Sequence, residues 1–299
     1  MRKSPTLKDD LKEYLEYKES ILRDDSYKVY KLFGKKFLSF LEVKKLIDTP
    51  TKDVTPKLCE NYKRHILKLH KHTTTRNKEI AQMKTFFYQF TKSGWERYRV
   101  SPAQNIELLP KQDSELHEPF SENQASEIIG KILEKRDYWL LLYIYMIHYT
   151  FARPGREVRL MKVGDIKPRA LLIRPENSKN RRTKTPTIAK PVEQLIEYLG
   201  IKNMPNHYYI FGANGCPGTK PCGRNLYYHR HRQILKELKI EGKYTLYGWK
   251  HTGNIRAITL GINERELQFQ NGFRDHRTLE IYIRKLSAYM SSEIYEKFL

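Results

Sequence analysis

Cysteine is scarce, with three in 299 residues. Three thiols cannot build a disulfide scaffold, which excludes the small stapled secreted folds and suits a reducing cytosol. Cys216 and Cys222 share a loop with His229 and His231 downstream. Their spacing misses the roughly two- to four-residue separation of zinc-binding pairs, so no metal is expected. Long apolar runs are also lacking. None approaches the roughly 18–20 residues that cross a bilayer, so no membrane partner is expected. The start, MRKSPTLKDD, has no apolar stretch behind its basic residues and is not expected to be a signal peptide. No P-loop, GxGxxG, HExxH or GxSxG motif occurs, and no cofactor is expected.

Acidic residues are outnumbered. Asp+Glu total 34 against 56 Lys+Arg, a formal net charge of +22, with a pI near 9.7. Such a chain seeks a polyanion: nucleic acid, an anionic membrane or an acidic protein. The hydrophobic fraction is 39% and mean hydropathy is −0.71. The 21 Tyr, 12 Phe and 3 Trp still supply core mass, so disorder is excluded. The length suggests two domains.

Residues 1–98 read as a helical bundle. Apolar residues recur at helical spacing over Leu7–Ser20, Tyr27–Leu46, a third segment opened by Thr55 and Pro56, and a fourth from near Thr75 to Gly94. Residues 99–119 (RVSPAQNIELLPKQDSELHEP) are rich in proline and polar side chains and read as a linker. Residues 120–299 form a second domain. Helices are expected over Ser121–Leu133, Tyr138–Tyr149, Arg156–Lys162, Pro191–Leu199, Asn225–Leu238, Thr252–Leu260, Glu264–Gln270 and Arg277–Leu299. ALLIR and TPTIA flank a basic turn and read as a hairpin. The fold class is mainly α with a small β-hairpin.

Several segments carry candidate chemistry. Arg153 follows a helix whose upstream turns should be core, an odd place for a solvated charge. Lys179, Arg181, Arg182 and Lys184 crowd the hairpin turn, where a cationic loop suits a phosphate backbone. Tyr247, Lys250 and His251 precede a helix that Thr252 is placed to cap, and a helix start favours an anion. Tyr282 lies on an amphipathic stretch beside Arg284 and Lys285.

Taken in order, these segments resemble the tyrosine recombinase (phage integrase) family over nearly the whole chain. Arg153, Glu157, Leu160, Asp165 and Ile166 are similar to the family's first box, and Lys179 falls at its hairpin lysine. Tyr247, Gly248, Trp249, Lys250, His251 and Thr252 resemble the second box, usually His-x-x-Arg-His-Thr. Gly272, Phe273 and Tyr282 resemble the third.

The resemblance implies that residues 1–98 are a core-binding domain and 120–299 a catalytic domain ending in an exchange helix. It further implies cleavage of double-stranded DNA by the Tyr282 hydroxyl through a 3′-phosphotyrosyl bond, without cofactor, in a homotetramer on DNA. Arg153, Lys179, Lys250, His251 and Tyr247 would stabilise charge or move protons. Glu157, Arg156, Phe273 and His276 are supporting candidates. Arg153 stands four positions before Glu157 where the family has three, so Arg156 is an alternative phosphate ligand. Lys250 replaces an arginine, Tyr247 a histidine, and Phe273 a histidine or tryptophan. His251 or His276 would supply the missing imidazole. DNA-binding cations are expected on both halves: Lys63, Arg64, Lys68, Lys71, Arg76 and Lys78, then Arg181, Arg182, Lys184, Arg224, Arg230 and Arg232. The alternatives are a degenerate DNA-binding relative of the same fold and a basic helical RNA-binding protein.

Overall fold

The computed structural model describes residues 5–110 and 117–287. The chain divides into two compact units, Met1–Ser114 and Glu115–Leu299.

The first unit holds α1 (Leu7–Ile21), α2 (Asp24–Val43), α3 (Pro56–Leu69) and α4 (Thr73–Gln89). A capping box opens α1: the Thr6 hydroxyl accepts from Asp9 N–H, and the Asp9 carboxylate accepts from Thr6 N–H. Phe33, Phe37, Tyr62 and Phe86 meet largely edge to face at its centre, the favoured geometry for aromatic quadrupoles. Thr55 makes no capping bond; Pro56 alone sets the entry to α3. Part of the expected linker belongs to this unit. Ala103 and Ile106 are buried in its core, and the Asn77 amide both donates to and accepts from the Leu109 backbone. Residues 111–116 lie outside the described ones.

The second unit is built around α6 (Tyr138–Thr150), which is apolar nearly all round and buried accordingly. Asp137 caps it by accepting the Leu140 N–H at 3.0 Å. Packed on it are α5 (Glu122–Glu134), with a Ser121–Gln124 capping box, α7 (Lys190–Tyr198), α8 (Leu226–Glu237) and α9 (Gly248–Thr259). After α6 the chain reverses at Phe151, whose φ of 52° is left-handed. A helix was expected over Arg156–Lys162. Instead Pro154–Val158 forms one wide π-type turn, closed by Val158 N–H to Arg153 O at 3.1 Å and Arg159 N–H to Pro154 O at 3.4 Å, while the Glu157 carboxylate reaches back to accept from Arg153 N–H.

β1 (Ile166–Lys167) pairs antiparallel with β2 (Ala170–Leu171). The hairpin closes beyond them, with Ile173 and Lys184 exchanging both backbone hydrogen bonds at 2.8 and 3.0 Å. α10 (Glu264–Asn271) and α11 (His276–Leu286) finish the described chain. Phe151, Leu267 and Leu279 form a small separate core under them. The rest of the expected C-terminal helix, with Tyr289, Met290, Ile294, Tyr295, Phe298 and Leu299, lies outside the described residues.

α9 starts at Gly248, four residues before the expected cap. The Thr252 hydroxyl instead accepts from Phe120 N–H at 2.8 Å and donates to Gly248 O. It ties the entry of the unit to α9. Among the described residues no helix is long and apolar enough to cross a membrane.

Candidate active site

Side chains from the end of α6, the π-turn, the hairpin, α9 and α11 converge around one buried carboxylate, Glu157. Its Oε1 accepts from Arg153 Nη1 at 2.6 Å, its Oε2 accepts from Arg153 N–H at 2.9 Å, and Lys184 Nζ stands 3.9 Å from Oε2. The four-residue separation of Arg153 and Glu157 is what the wide turn spans. Burial alone would raise the Glu157 carboxyl, but Lys184, Arg153 and those hydrogen bonds hold it below its ordinary value.

Lys250 lies beside this pair, 1% exposed, and its Nζ donates to the Phe151 carbonyl at 2.5 Å. Lys184 donates to the same oxygen at 3.3 Å and to Thr150 O at 3.4 Å. Both acceptors sit at the C-terminal end of α6, where the helix dipole welcomes cations. The φ of 67° at Gly272 suits glycine, and the Lys184 stem passes 3.0 Å from where a Cβ would stand. Burial depresses both lysines. Lys184 falls to about 8; Lys250 falls well below its usual value, helped by repulsion from Lys184 and Arg153.

The other edge of the cluster is on α9 and α11. The Tyr282 hydroxyl lies 2.7 Å from His251 Nδ1, and their rings are 5.5 Å apart. Burial pushes the Tyr282 phenol well up, with Tyr247 adding and Arg153 opposing. Burial, Lys250 and His117 push His251 down to about 4, so the imidazole is neutral near neutral pH. With its proton on Nε2, Nδ1 accepts from the phenol; that Nε2 has no partner among the described residues. Tyr247 interacts with the Arg153 side chain and lies 5.2 Å, ring to ring, from His251. The Phe273 ring covers Tyr282 at 5.2 Å and Lys250 Nζ at 5.8 Å.

Arg153, Glu157, Tyr247, Lys250, His251, Phe273 and Tyr282 are thus brought together. Other candidates are not. Lys179 is exposed in the hairpin turn, whereas Lys184, expected among the exposed DNA-binding cations, is 7% exposed and reaches the cluster. Arg156 is exposed on the outer side of the π-turn sequence. His276 is exposed and engaged by Glu264 and Glu280, so it brings no imidazole to Tyr282. Arg76 is tied to the carbonyls of His70 and Leu67 at the end of α3, and Arg230 pairs with Asp137. Lys63 is half-buried. Arg64, Lys68, Lys71, Lys78, Arg181, Arg182, Arg224 and Arg232 are exposed. Sequence reading missed His117, whose ring lies 5.2 Å from Tyr247, and Asn254, which donates to Lys250 O and accepts from Asn271. No sequence signal marked His117; the buried Asn pair breaks the apolar pattern of α9 and α10, a visible irregularity.

No protein-family model matches the sequence, and no curated protein is similar to it. Solved structures are similar. A lambda integrase dimer bound to a COC′ core site superposes with a TM-score of 0.71 at 15% identity, covering 93% of this chain and 77% of that one. The Tn1549 transposon integrase in complex with circular intermediate DNA gives 0.67 at 17% identity, covering 97% and 96%. The chain has the tyrosine recombinase fold. A lambda integrase tetramer bound to a Holliday junction is similar in the same way, with a TM-score of 0.69 at 15% identity, covering 91% and 79%.

Proposed function

We propose that this chain is a tyrosine-type site-specific recombinase or integrase that cleaves and rejoins double-stranded DNA through a 3′-phosphotyrosyl intermediate. The observation that carries the reading is the Tyr282 hydroxyl, 2.7 Å from His251 Nδ1 and within the field of Arg153, while Lys250, next to His251 in the chain, shares the Phe151 carbonyl with Lys184. In the reaction Tyr282 Oη bonds to phosphorus while its proton passes to His251 Nδ1. The entering phosphate raises the basicity of that imidazole, because an anion favours the imidazolium. The P–O5′ bond breaks, and the leaving oxygen takes a proton from a lysine ammonium, for which buried Lys184 is better placed than exposed Lys179. Arg153, fixed by Glu157, stabilises charge on the non-bridging oxygens. Attack by a second 5′-hydroxyl reverses the steps. The phosphotyrosyl bond conserves the energy, so the proposal calls for no cofactor.

The exposed cations serve as the grip on DNA. With roughly six phosphate contacts, affinity for duplex DNA should fall about 10³-fold between 50 and 200 mM salt, read by fluorescence anisotropy. Indifference to salt would sink the grip. Assembly as a tetramer on DNA belongs to the same reading, by likeness to the lambda integrase tetramer. The exchange element would be the stretch of about seventeen residues after Tyr282, of which those from 288 onward lie outside the described residues. Service to a mobile element is likewise part of the proposal.

The deciding experiment offers the protein a library of nicked suicide duplexes of randomised sequence and captures covalent complexes under denaturing conditions. Peptide mapping should find the DNA on Tyr282. Salt-sensitive binding with no adduct from any duplex would instead favour a degenerate DNA-binding relative.

A further inference from the structure

Three basic side chains and one carboxylate are packed together, and all but Arg153 are almost wholly buried. Glu157 is 2% exposed, Lys184 7% and Lys250 1%. Arg153 occupies both Glu157 oxygens, one through its guanidinium and one through its backbone N–H. Lys184 reaches the second oxygen only at 3.9 Å, and Lys250 is within ion-pair reach of no described carboxylate. Both lysine nitrogens converge on the one Phe151 carbonyl, which places them within about 6 Å of each other. If all were protonated, the site would carry two uncompensated positive charges in a low-dielectric interior, where like charges repel strongly.

The groups around Lys250 leave few ways to relieve this. From the π-turn, Arg153 and Glu157 cancel. From α11, the Tyr282 phenol is held un-ionised, and on α9 itself His251 is held neutral, chiefly by burial, with or without a charge on Lys250. Tyr247 faces Arg153. Asn254, on α9, and Asn271, from α10, are uncharged. Phe273 offers only the weak attraction of a ring at 5.8 Å. The hairpin brings Lys184, a like charge. Of the two lysines, Lys250 is the more buried and the farther from Glu157. An amine can still donate N–H to Phe151 O, so losing the proton does not break its anchor.

We propose that Lys250 is an uncharged amine in the DNA-free protein and takes up a proton when a phosphodiester anion enters the site, so that phosphate and proton bind together. The inference rests on the recombinase reading only for the identity of the anion. The direction in which burial, Lys184 and Arg153 push the Lys250 ammonium agrees with it. An arginine at this position would stay charged at any working pH and bind the anion without a proton. Lysine here makes the affinity of the site for phosphate fall as pH rises, because the proton must be drawn from an ever scarcer supply.

The test is NMR of protein carrying ¹³C at the lysine ε-carbons, titrated from neutral to alkaline pH with and without saturating mixed-sequence duplex DNA. Lys250→Arg removes one signal and so assigns it; Lys184→Arg assigns the other, and elimination suffices if either variant fails to fold. In the free protein the Lys250 signal should be that of an amine at neutral pH. Duplex DNA should shift it to the ammonium position, a rise of about 100-fold or more in proton affinity, or two pH units. A Lys250 signal that titrates with the bulk lysines, or an amine signal unmoved by DNA, overturns the inference. Neither result depends on strand cleavage. Failure of covalent capture with the titration as expected would sink the recombinase reading and leave the proton-coupled anion site standing.

Discussion

Tyr282→Phe should abolish the covalent protein–DNA complex, lowering its rate of formation by about 10⁴-fold or more, while leaving duplex affinity nearly unchanged. The substitution removes one oxygen and nothing else. The ring keeps its contacts with Phe273 at 5.2 Å and His251 at 5.5 Å. What is lost is the hydroxyl 2.7 Å from His251 Nδ1. One hydrogen bond between neutral groups is worth about 1 kcal/mol net, so the fold should tolerate the change. Quenched-reaction gels and anisotropy on the same duplex separate the two effects. An adduct that persists in the variant would transfer the nucleophile elsewhere, with Tyr247 next in line because it faces Arg153.

Gly253→Ala should destabilise the second unit by about 3 kcal/mol or more, beyond the usual range for overpacking. At Gly253, α9 rests directly on α6. A Cβ there would stand 1.9 Å from His148 O and 2.9 Å from His148 C, both backbone atoms that cannot swing aside. The helices must separate, and α9 carries Lys250 away from the Phe151 carbonyl and His251 away from Tyr282. Both folding and cleavage should suffer. Gly130→Ala, in α5, is the contrast: a Cβ meets nothing within 4 Å, and helix propensity favours alanine by about 1 kcal/mol. Denaturant titration of the two variants compares them. Equal midpoints would mean that α6 and α9 are not in backbone contact.

Much of this was legible in the sequence because it obeys periodicity. The bundle helices follow their aromatic spacing, and α6 announces its burial by being apolar on every face. Arg153 stood out as a charge beside an apolar helix; Glu157, Lys250, His251 and Tyr282 were legible through the order and spacing of the boxes they resemble. The hairpin lysine was harder. Lys179, Arg181, Arg182 and Lys184 are alike in composition, and nothing local says which one turns inward. The pairing register does: Lys184 lies opposite Ile173, so it shares the face of a buried residue. The start of α9 was misjudged because Thr252 resembles a cap; its hydroxyl is used by Phe120, a partner far away in sequence. His276 looked near enough to Tyr282 to help. Only the fold reveals that Glu264 and Glu280 hold it on the outside.

The Phe151 carbonyl has a consequence for genetics. The common anchor of the two lysines is a main-chain atom, so no amino-acid replacement deletes it. A mutational scan of this unit would register Lys184 and Lys250 and pass over the group that holds them. Substitutions at residue 151 would be scored for the left-handed turn and the small core beneath α10 and α11, with the oxygen still in place. Drift in the surrounding side chains can therefore proceed while the anchor persists. A main-chain ester in place of the amide between Phe151 and Ala152 is the kind of change that reaches it.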